Sequence, residues 1–178
     1  RLPQGGSVAI TAKGVAANAD VEAGAGTISF NARSNGVDIV TVPLDVMVAD
    51  GVTLSARGGW ANDLPTASGH SDEAALVNGG KVTLSAAEDV TLGAGSLIDV
   101  TGGARVKPDG KLKNGNGGNV TLGAGAGASA AGSHTASVRL GGEVRGYAPG
   151  KGGSFSINTA KIQVGGTADP ATLNLDAG

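Results

Sequence analysis

The stretch GGKVTLSAAEDVTLGAGSLIDVTGG, residues 79–103, alternates apolar and small polar residues between glycines. Successive side chains of a β-strand point to opposite faces, so this alternation predicts short strands with one apolar and one polar face. The predicted apolar face holds Val82, Leu84, Ala86, Val90, Leu92, Ile98 and Val100, and the polar face includes Asp89 and Asp99. Burying an unpaired carboxylate is costly, so we expect a corner at Ala87 and Glu88 that turns Glu88 toward water.

The same pattern recurs along the chain and usually opens with glycine. Its copies lie at residues 5–12 (GGSVAITA), 25–32, 50–56, 79–86, 117–124 and 152–159. Weaker alternating segments lie at residues 19–23, 45–49, 89–94, 97–102, 137–142, 161–166 and 171–177. No segment has a helical period, so the pattern predicts an all-β protein.

The recurrence favours one architecture over another. Similar strands that return at intervals of roughly 20 to 38 residues favour a parallel β-solenoid, in which each strand stacks on its earlier copy. An antiparallel sandwich or barrel is the alternative, but the Asn-Gly and Asp-Gly pairs mostly precede recurring strands or lie in polar loops. We predict a single folding unit over residues 1–178, with loop insertions near 57–78 and 103–118, where the alternation is absent.

The composition narrows the classes of function. The chain has 178 residues with 33 glycines, one Trp, one Tyr and two Phe, which indicates a narrow interior of aliphatic side chains. It has no cysteine, so disulfides and thiolate metal sites are excluded. The net charge is −2, and the basic residues near 105–113 have no interleaved aromatics, so we predict no nucleic-acid partner.

Several segments resemble a known family. They are GGKVTLSAAEDVTLGAGSLIDVTGGA, GNGGNVTLGAGA, LGGEVRGYAPGKGGSFSINTAKIQVGG and ARGGWAND. Together they resemble the repeat region of filamentous-haemagglutinin-like exoproteins, which Gram-negative bacteria export by two-partner secretion. The resemblance covers most of the chain, although the asparagine-proline-asparagine-glycine signature of that family's secretion domain is absent. The chain therefore resembles the shaft of a larger exoprotein.

The resemblance implies a right-handed parallel β-helix that is secreted to the outer cell surface of a Gram-negative bacterium. The expected function is an extracellular adhesive shaft, a virulence-associated filament that attaches to host or neighbouring cells. The expected partners are the outer-membrane two-partner-secretion transporter during export and a host-cell or bacterial surface receptor or glycan. End-to-end self-association into a filament is a further alternative, because terminal capping repeats are not evident.

A carbohydrate-active β-helix enzyme, a polysaccharide lyase or glycosidase, is the alternative from another class. Such enzymes need two or three carboxylates that converge on a groove. The candidates are Asp63, His70, Asp72, Glu73, Asp89 and Asp99. We expect instead that the carboxylates near 57–78 solvate a loop, and that Asp89 and Asp99 discourage lateral association of sheets. We therefore predict no catalytic residue and no cofactor.

Two further groups of residues have chemistry to consider. Asp109, Asn114, Asn116 and Asn119 are concentrated among glycines, but they lack a calcium-binding repeat, so we predict a flexible polar loop and no metal site. Candidate ligand or surface contacts are Trp60, His70, Asp72, Glu73 and Tyr147. Aromatic rings can stack on sugars, but Trp is usually mostly buried, so for Trp60 we favour packing against the body of the protein, and Tyr147 has the same two interpretations.

Overall fold

A computed structural model describes residues 3–34, 42–65, 75–125 and 135–160, together with strands at 162–164 and 173–175. The strands are β1 (Ser7–Ala12), β2 (Val15–Ala17), β3 (Val21–Glu22), β4 (Thr27–Ala32), β5 (Val46–Val48), β6 (Thr53–Ser55), β7 (Trp60–Asn62), β8 (Lys81–Ala86), β9 (Val90–Leu92), β10 (Leu97–Asp99), β11 (Ala104–Val106), β12 (Leu112–Asn114), β13 (Asn119–Ala124), β14 (Val138–Leu140), β15 (Glu143–Arg145), β16 (Ser154–Asn158), β17 (Ile162–Val164) and β18 (Leu173–Leu175). Within these described parts no helix is present, and hence none that could cross a membrane.

Three parallel sheets make up most of the structure. Sheet 1 has the order β1-β4-β8-β13-β16, sheet 2 the order β2-β5-β9-β14, and sheet 3 the order β3-β6-β10-β15. From β1 to β15 the chain visits these sheets repeatedly in the sequence 1, 2, 3, and every strand pair within them is parallel. The predictions of an all-β protein and of parallel stacking are confirmed, and the antiparallel sandwich is wrong for the described residues.

Sheet 1 holds all but one of the glycine-led copies. The strands pair without any shift, so that Ile28 aligns with Val82 and Phe30 with Leu84. The copy at 50–56 lies instead in sheet 3, as β6. A turn at Asp50 and Gly51, where Gly51 has φ 69°, connects β5 of sheet 2 directly to this copy. Glycine adopts this left-handed conformation readily, so the Asp-Gly pair redirects a strand whose alternation is the same as that of the others.

The apolar rows of sheets 1 to 3 form the core. All of the residues predicted for the apolar face of 79–103 are buried, and most of their partners on neighbouring strands are buried too, except Leu140 and Val144, which are partly buried. Ile28, Val82 and Val120 stand beside one another in sheet 1 at 1 % exposure or less. Each buried aliphatic side chain contributes roughly 1.5 to 3 kcal/mol relative to exposure, so these rows are the main stabilising element.

Glycines before the strands of sheet 1 form a ladder. They are Gly26, Gly80, Gly118 and Gly153, and each precedes its strand by one residue. A β-carbon on any of them would lie 1.8 to 2.4 Å from the carbonyl oxygen of the preceding glycine in the ladder, which for Gly26 is Gly6. The close approach of the two backbones excludes a side chain at each of these positions, so the ladder requires glycine there.

Carboxylates connect strands of sheet 2 through the backbone. Asp89 donates its N–H to Oδ1 of Asp45 at 2.9 Å, and its own Oδ1 accepts bonds from N of Ser137 at 2.8 Å and Oγ at 2.9 Å. The predicted corner is confirmed as a bend at Ala87 and Glu88. The half-buried Glu88 accepts a hydrogen bond from N of Leu44 at 3.2 Å, so its carboxylate has a backbone partner and is only partly turned toward solvent.

The segments 57–78 and 103–118 contain more regular structure than the sequence predicted. Strands β7, β11 and β12 form sheet 4, in which β7 and β11 are parallel and β11 and β12 form a hairpin. The Asp109-Gly110 pair makes the hairpin turn, with Gly110 at φ 79°. The expectation that Asp63 solvates a loop is wrong, because Asp63 is 1 % exposed and forms an ion pair with Arg105 on β11.

Candidate functional site

The outward-facing side of sheet 3 brings polar residues from four strands into one row. In register across β3, β6, β10 and β15 stand Glu22, Ser55, Asp99 and Arg145. Their strand neighbours Leu54 and Ile98 point the other way and are fully buried. Parallel strands lie about 4.8 Å apart, so the row extends over roughly 14 Å.

A second row lies two residues further along the same strands. Hydrogen bonds continue the ladder there, from N of Gly58 to O of Thr101 at 2.8 Å and from N of Gly102 to O of Tyr147 at 2.8 Å. This continuation aligns Arg57, Thr101 and Tyr147 beside the first row. We call these two rows, together with the adjoining Trp60, the outer face of sheet 3.

Asp99 is the buried member of the first row. Its prediction as a water-exposed residue is wrong, because the residue is only 6 % exposed. Nε of Arg57 lies 3.4 Å from its Oδ2, and N of Thr101 donates to its Oδ1 at 2.9 Å. A buried carboxylate needs such partners. The ion pair with Asp99 in turn holds the Arg57 side chain on the outer face. More than half of that side chain, 54 %, is exposed.

A second arginine on this face is paired with its own strand neighbour. Nε and Nη2 of Arg145 donate to the two carboxylate oxygens of Glu143, at 2.7 and 2.6 Å. This two-point pairing lowers the pKa of Glu143 chiefly through the side-chain hydrogen bond, and it raises the pKa of Arg145 for the same reason. Both residues are exposed, so the pair orients the guanidinium more than it stabilises the fold.

Trp60 lies at one end of the outer face. It lines a depression of about 360 Å³ together with Gln4, Glu22, Ser55 and Arg57. The favoured prediction that Trp60 packs against the body is wrong, because 66 % of the residue is exposed. Its backbone begins β7 and is paired with Ala104, so main-chain bonding holds the residue in place without burial of the ring.

Tyr147 lies at the other end and is also exposed, at 71 %, so packing is the wrong interpretation for this residue too. It lines a depression of about 420 Å³ with the half-buried Val144 and the exposed Phe155. Val144 and Phe155 align with the buried Ile98 and Val120, so this depression lies where the core meets the surface. The strand register places Tyr147 in the second row of the outer face, which Trp60 adjoins through its depression with Arg57. The other predicted surface contacts, His70, Asp72 and Glu73, lie outside the described residues.

The group considered for calcium has other partners. Oδ1 of Asn116 accepts a bond from N of Lys151 at 2.9 Å, and Oδ1 of Asn119 accepts one from Oγ of Ser154 at 2.7 Å. Asn114 belongs to β12, so the predicted loop is partly a strand. Among the residues that the structure describes, no three His, Cys, Asp or Glu side chains come together as metal ligands would.

Sequence reasoning missed Glu22, Ser55, Arg57 and Arg145 as members of one face. The signal was present in part, because Glu22 and Asp99 each follow an apolar residue in a short alternating segment. Which segments are neighbours depends on the pairing of strands 33 to 46 residues apart, and three-residue strands carry too little pattern to define that pairing. No family model, curated protein or solved structure matches the chain.

Proposed function

We propose that the chain is a right-handed parallel β-helix that forms an extracellular, non-enzymatic adhesive shaft of a filamentous-haemagglutinin-like exoprotein. The observation that carries the proposal is the repeated visit to sheets 1, 2 and 3 with in-register parallel pairing at each visit. In this arrangement the apolar residues of each repeat pack against the equivalent residues of the next repeat. The stack can therefore be extended by further repeats. Parallel crossover connections are right-handed in about 98 % of cases, which supports the proposed hand.

The distribution of charged groups supports a shaft over a carbohydrate-active enzyme. The described candidate carboxylates have structural partners: Asp63 pairs with Arg105, Asp99 with Arg57, and Asp89 with the backbone of Ser137. A glycosidase or lyase needs carboxylates that face each other across a substrate groove. Exposed aromatic residues on a face of fixed backbone instead suit attachment to another surface. In this proposal the chain is exported through an outer-membrane transporter and displayed outside the cell.

An attachment assay tests the proposal. Beads coated with the folded chain are expected to adhere to epithelial or bacterial cells more than beads coated with the Gly80→Ala, Gly118→Ala double variant, whose stacking is disrupted. In parallel, the chain is incubated with plant and bacterial polysaccharides, and new sugar ends are counted. Equal adhesion of both bead types would contradict the shaft proposal, and release of oligosaccharides would favour the enzyme.

A further inference from the structure

We propose that the outer face of sheet 3 binds a linear, uncharged oligosaccharide that lies across the strands, with Trp60 and Tyr147 as stacking platforms at its two ends. The inference rests on the proposed adhesive function and gives its attachment surface a ligand class. An exposed indole beside a carboxylate, a hydroxyl and a guanidinium combines an apolar ring face with hydrogen-bonding groups. Sugar rings present the same combination of C–H faces and hydroxyl edges.

The spacing of the face suits a polymer better than a single sugar. Glu22 and Arg145 are separated by three strand spacings of about 4.8 Å each. Trp60 follows β6, the second strand of the row, and shares a depression with Glu22 on the first strand, whereas Tyr147 follows Arg145 on the fourth. One outward polar side chain recurs on each strand, so successive rings of a linear saccharide lie over successive strands, with Arg57 covering the buried Asp99. Ser55 and Thr101 supply hydroxyls in the middle of this path.

The charges of the face select an uncharged ligand. Within the two rows, the carboxylates of Glu22 and Asp99 balance the guanidinium groups of Arg57 and Arg145. The adjoining row adds the carboxylates of Asp20 and Glu143, which leaves a net charge of −2. Each guanidinium is already paired with a carboxylate. A sulfated or carboxylated glycan would therefore meet a weakly repulsive surface, while hydroxyl groups can bond to both signs of charge.

The backbone around Trp60 is fixed before any ligand arrives. A β-carbon on Gly58 would lie 2.0 Å from O of Val77, and one on Gly103 would lie 1.9 Å from O of Gly59. N of Gly59 also donates to O of Leu76 at 2.7 Å. Such close packing leaves the strand little freedom, so binding loses little backbone entropy.

Trp60 is the one tryptophan of the chain, so its fluorescence reports on this face directly. The full chain is titrated with cellohexaose, xylohexaose and chitohexaose, and with a heparin hexasaccharide as the charged comparison. At least one uncharged hexasaccharide is expected to shift the emission to the blue and to protect the indole from acrylamide, in a saturable manner. The heparin hexasaccharide is expected to do neither.

Variants locate the binding by isothermal titration calorimetry. Trp60→Ala and Tyr147→Ala are each expected to weaken binding about tenfold, as loss of one aromatic contact implies. Trp60→Phe should recover part of the affinity. The matched control is Leu112→Ala, which removes an apolar residue of 61 % exposure from β12, outside the outer face, and should bind like the unmodified chain.

The inference is overturned if none of the uncharged hexasaccharides shifts the emission, if heparin binds more tightly, or if both aromatic variants bind normally. The bead assay separates this failure from failure of the adhesive function. If beads coated with the unmodified chain adhere to cells but no saccharide changes the fluorescence, only the inference is overturned. If a saccharide binds but the beads do not adhere, the inference is supported and the adhesive function is contradicted.

Discussion

The glycine ladder makes a sharp prediction about stability. In Gly80→Ala the new β-carbon would lie 2.0 Å from O of Gly26, whereas real contacts of this kind essentially never fall below 3.0 Å. The two strands must therefore separate by about 1 Å at this point. The same oxygen accepts a hydrogen bond from N of Lys81 at 2.8 Å, and such a separation would stretch that bond beyond hydrogen-bonding distance.

The expected loss of stability follows from these two effects. A buried backbone pair left unsatisfied costs about 1 to 3 kcal/mol. The strain of inserting a methyl group into a close-packed site adds about 1 to 3 kcal/mol. We therefore expect Gly80→Ala to lower the free energy of unfolding by about 2 to 6 kcal/mol, centred near 4, a large part of the roughly 5 to 15 kcal/mol typical of a domain.

Urea unfolding followed by far-ultraviolet circular dichroism measures this loss. With a slope of about 2 kcal/mol per molar urea, the midpoint of Gly80→Ala should fall by about 2 M. Gly152→Ala is the matched control, because a β-carbon on Gly152 meets no atom within 4 Å, and its effect should stay within about 1 kcal/mol. Equal midpoints for the two variants would refute the argument that close backbone approach requires glycine in the ladder.

Three further predictions concern charged groups. Asp89→Ala should lower the free energy of unfolding by about 1 to 3 kcal/mol, because it removes the acceptor of a neighbouring backbone N–H; Asp89→Asn, measured by the same urea midpoint, should lose less. Asp63→Ala should cost about 3 to 5 kcal/mol by leaving Arg105 without its buried partner, and a double-mutant cycle with Arg105→Ala checks that the two losses are not additive. The side-chain hydrogen bond with Arg145 holds the pKa of Glu143 below the ordinary value of a glutamate, so the pairing is fully present above that ordinary pKa and is lost as the pH falls through the lowered pKa; carboxyl NMR titration should show this pKa rising in Arg145→Gln, and an unchanged pKa would contradict the pairing.

Much of the fold could be predicted from alternation alone. Residues such as Val82 and Leu84 lie on the apolar side of a pattern with period two, and burial of one face forces that assignment. Strands without such a pattern escaped prediction, including β7 and β11. Their positions depend on pairing with each other in sheet 4, a long-range contact that three residues of local sequence do not encode.

The candidate site was predicted less completely than the fold. Trp60 and Tyr147 stood out because the chain has so few aromatic residues, but general burial statistics favoured the wrong environment for both. The burial of Asp99 was missed because it depends on Arg57. That residue follows β6, the strand that pairs with the strand of Asp99. Alternation assigns a residue to a face, but it does not say which charged residue covers it there.

The direction of the hydrogen bonds has a mechanical consequence for a protein proposed to hold cells together. In sheets 1 to 3 these bonds connect each strand to the next, so in the proposed β-helix they point along its axis. Tension applied between the two ends would then load successive layers in series, and every layer would carry the full force. The rupture force would be set by the weakest layer and would not grow with length, so a longer shaft would gain reach without gaining strength.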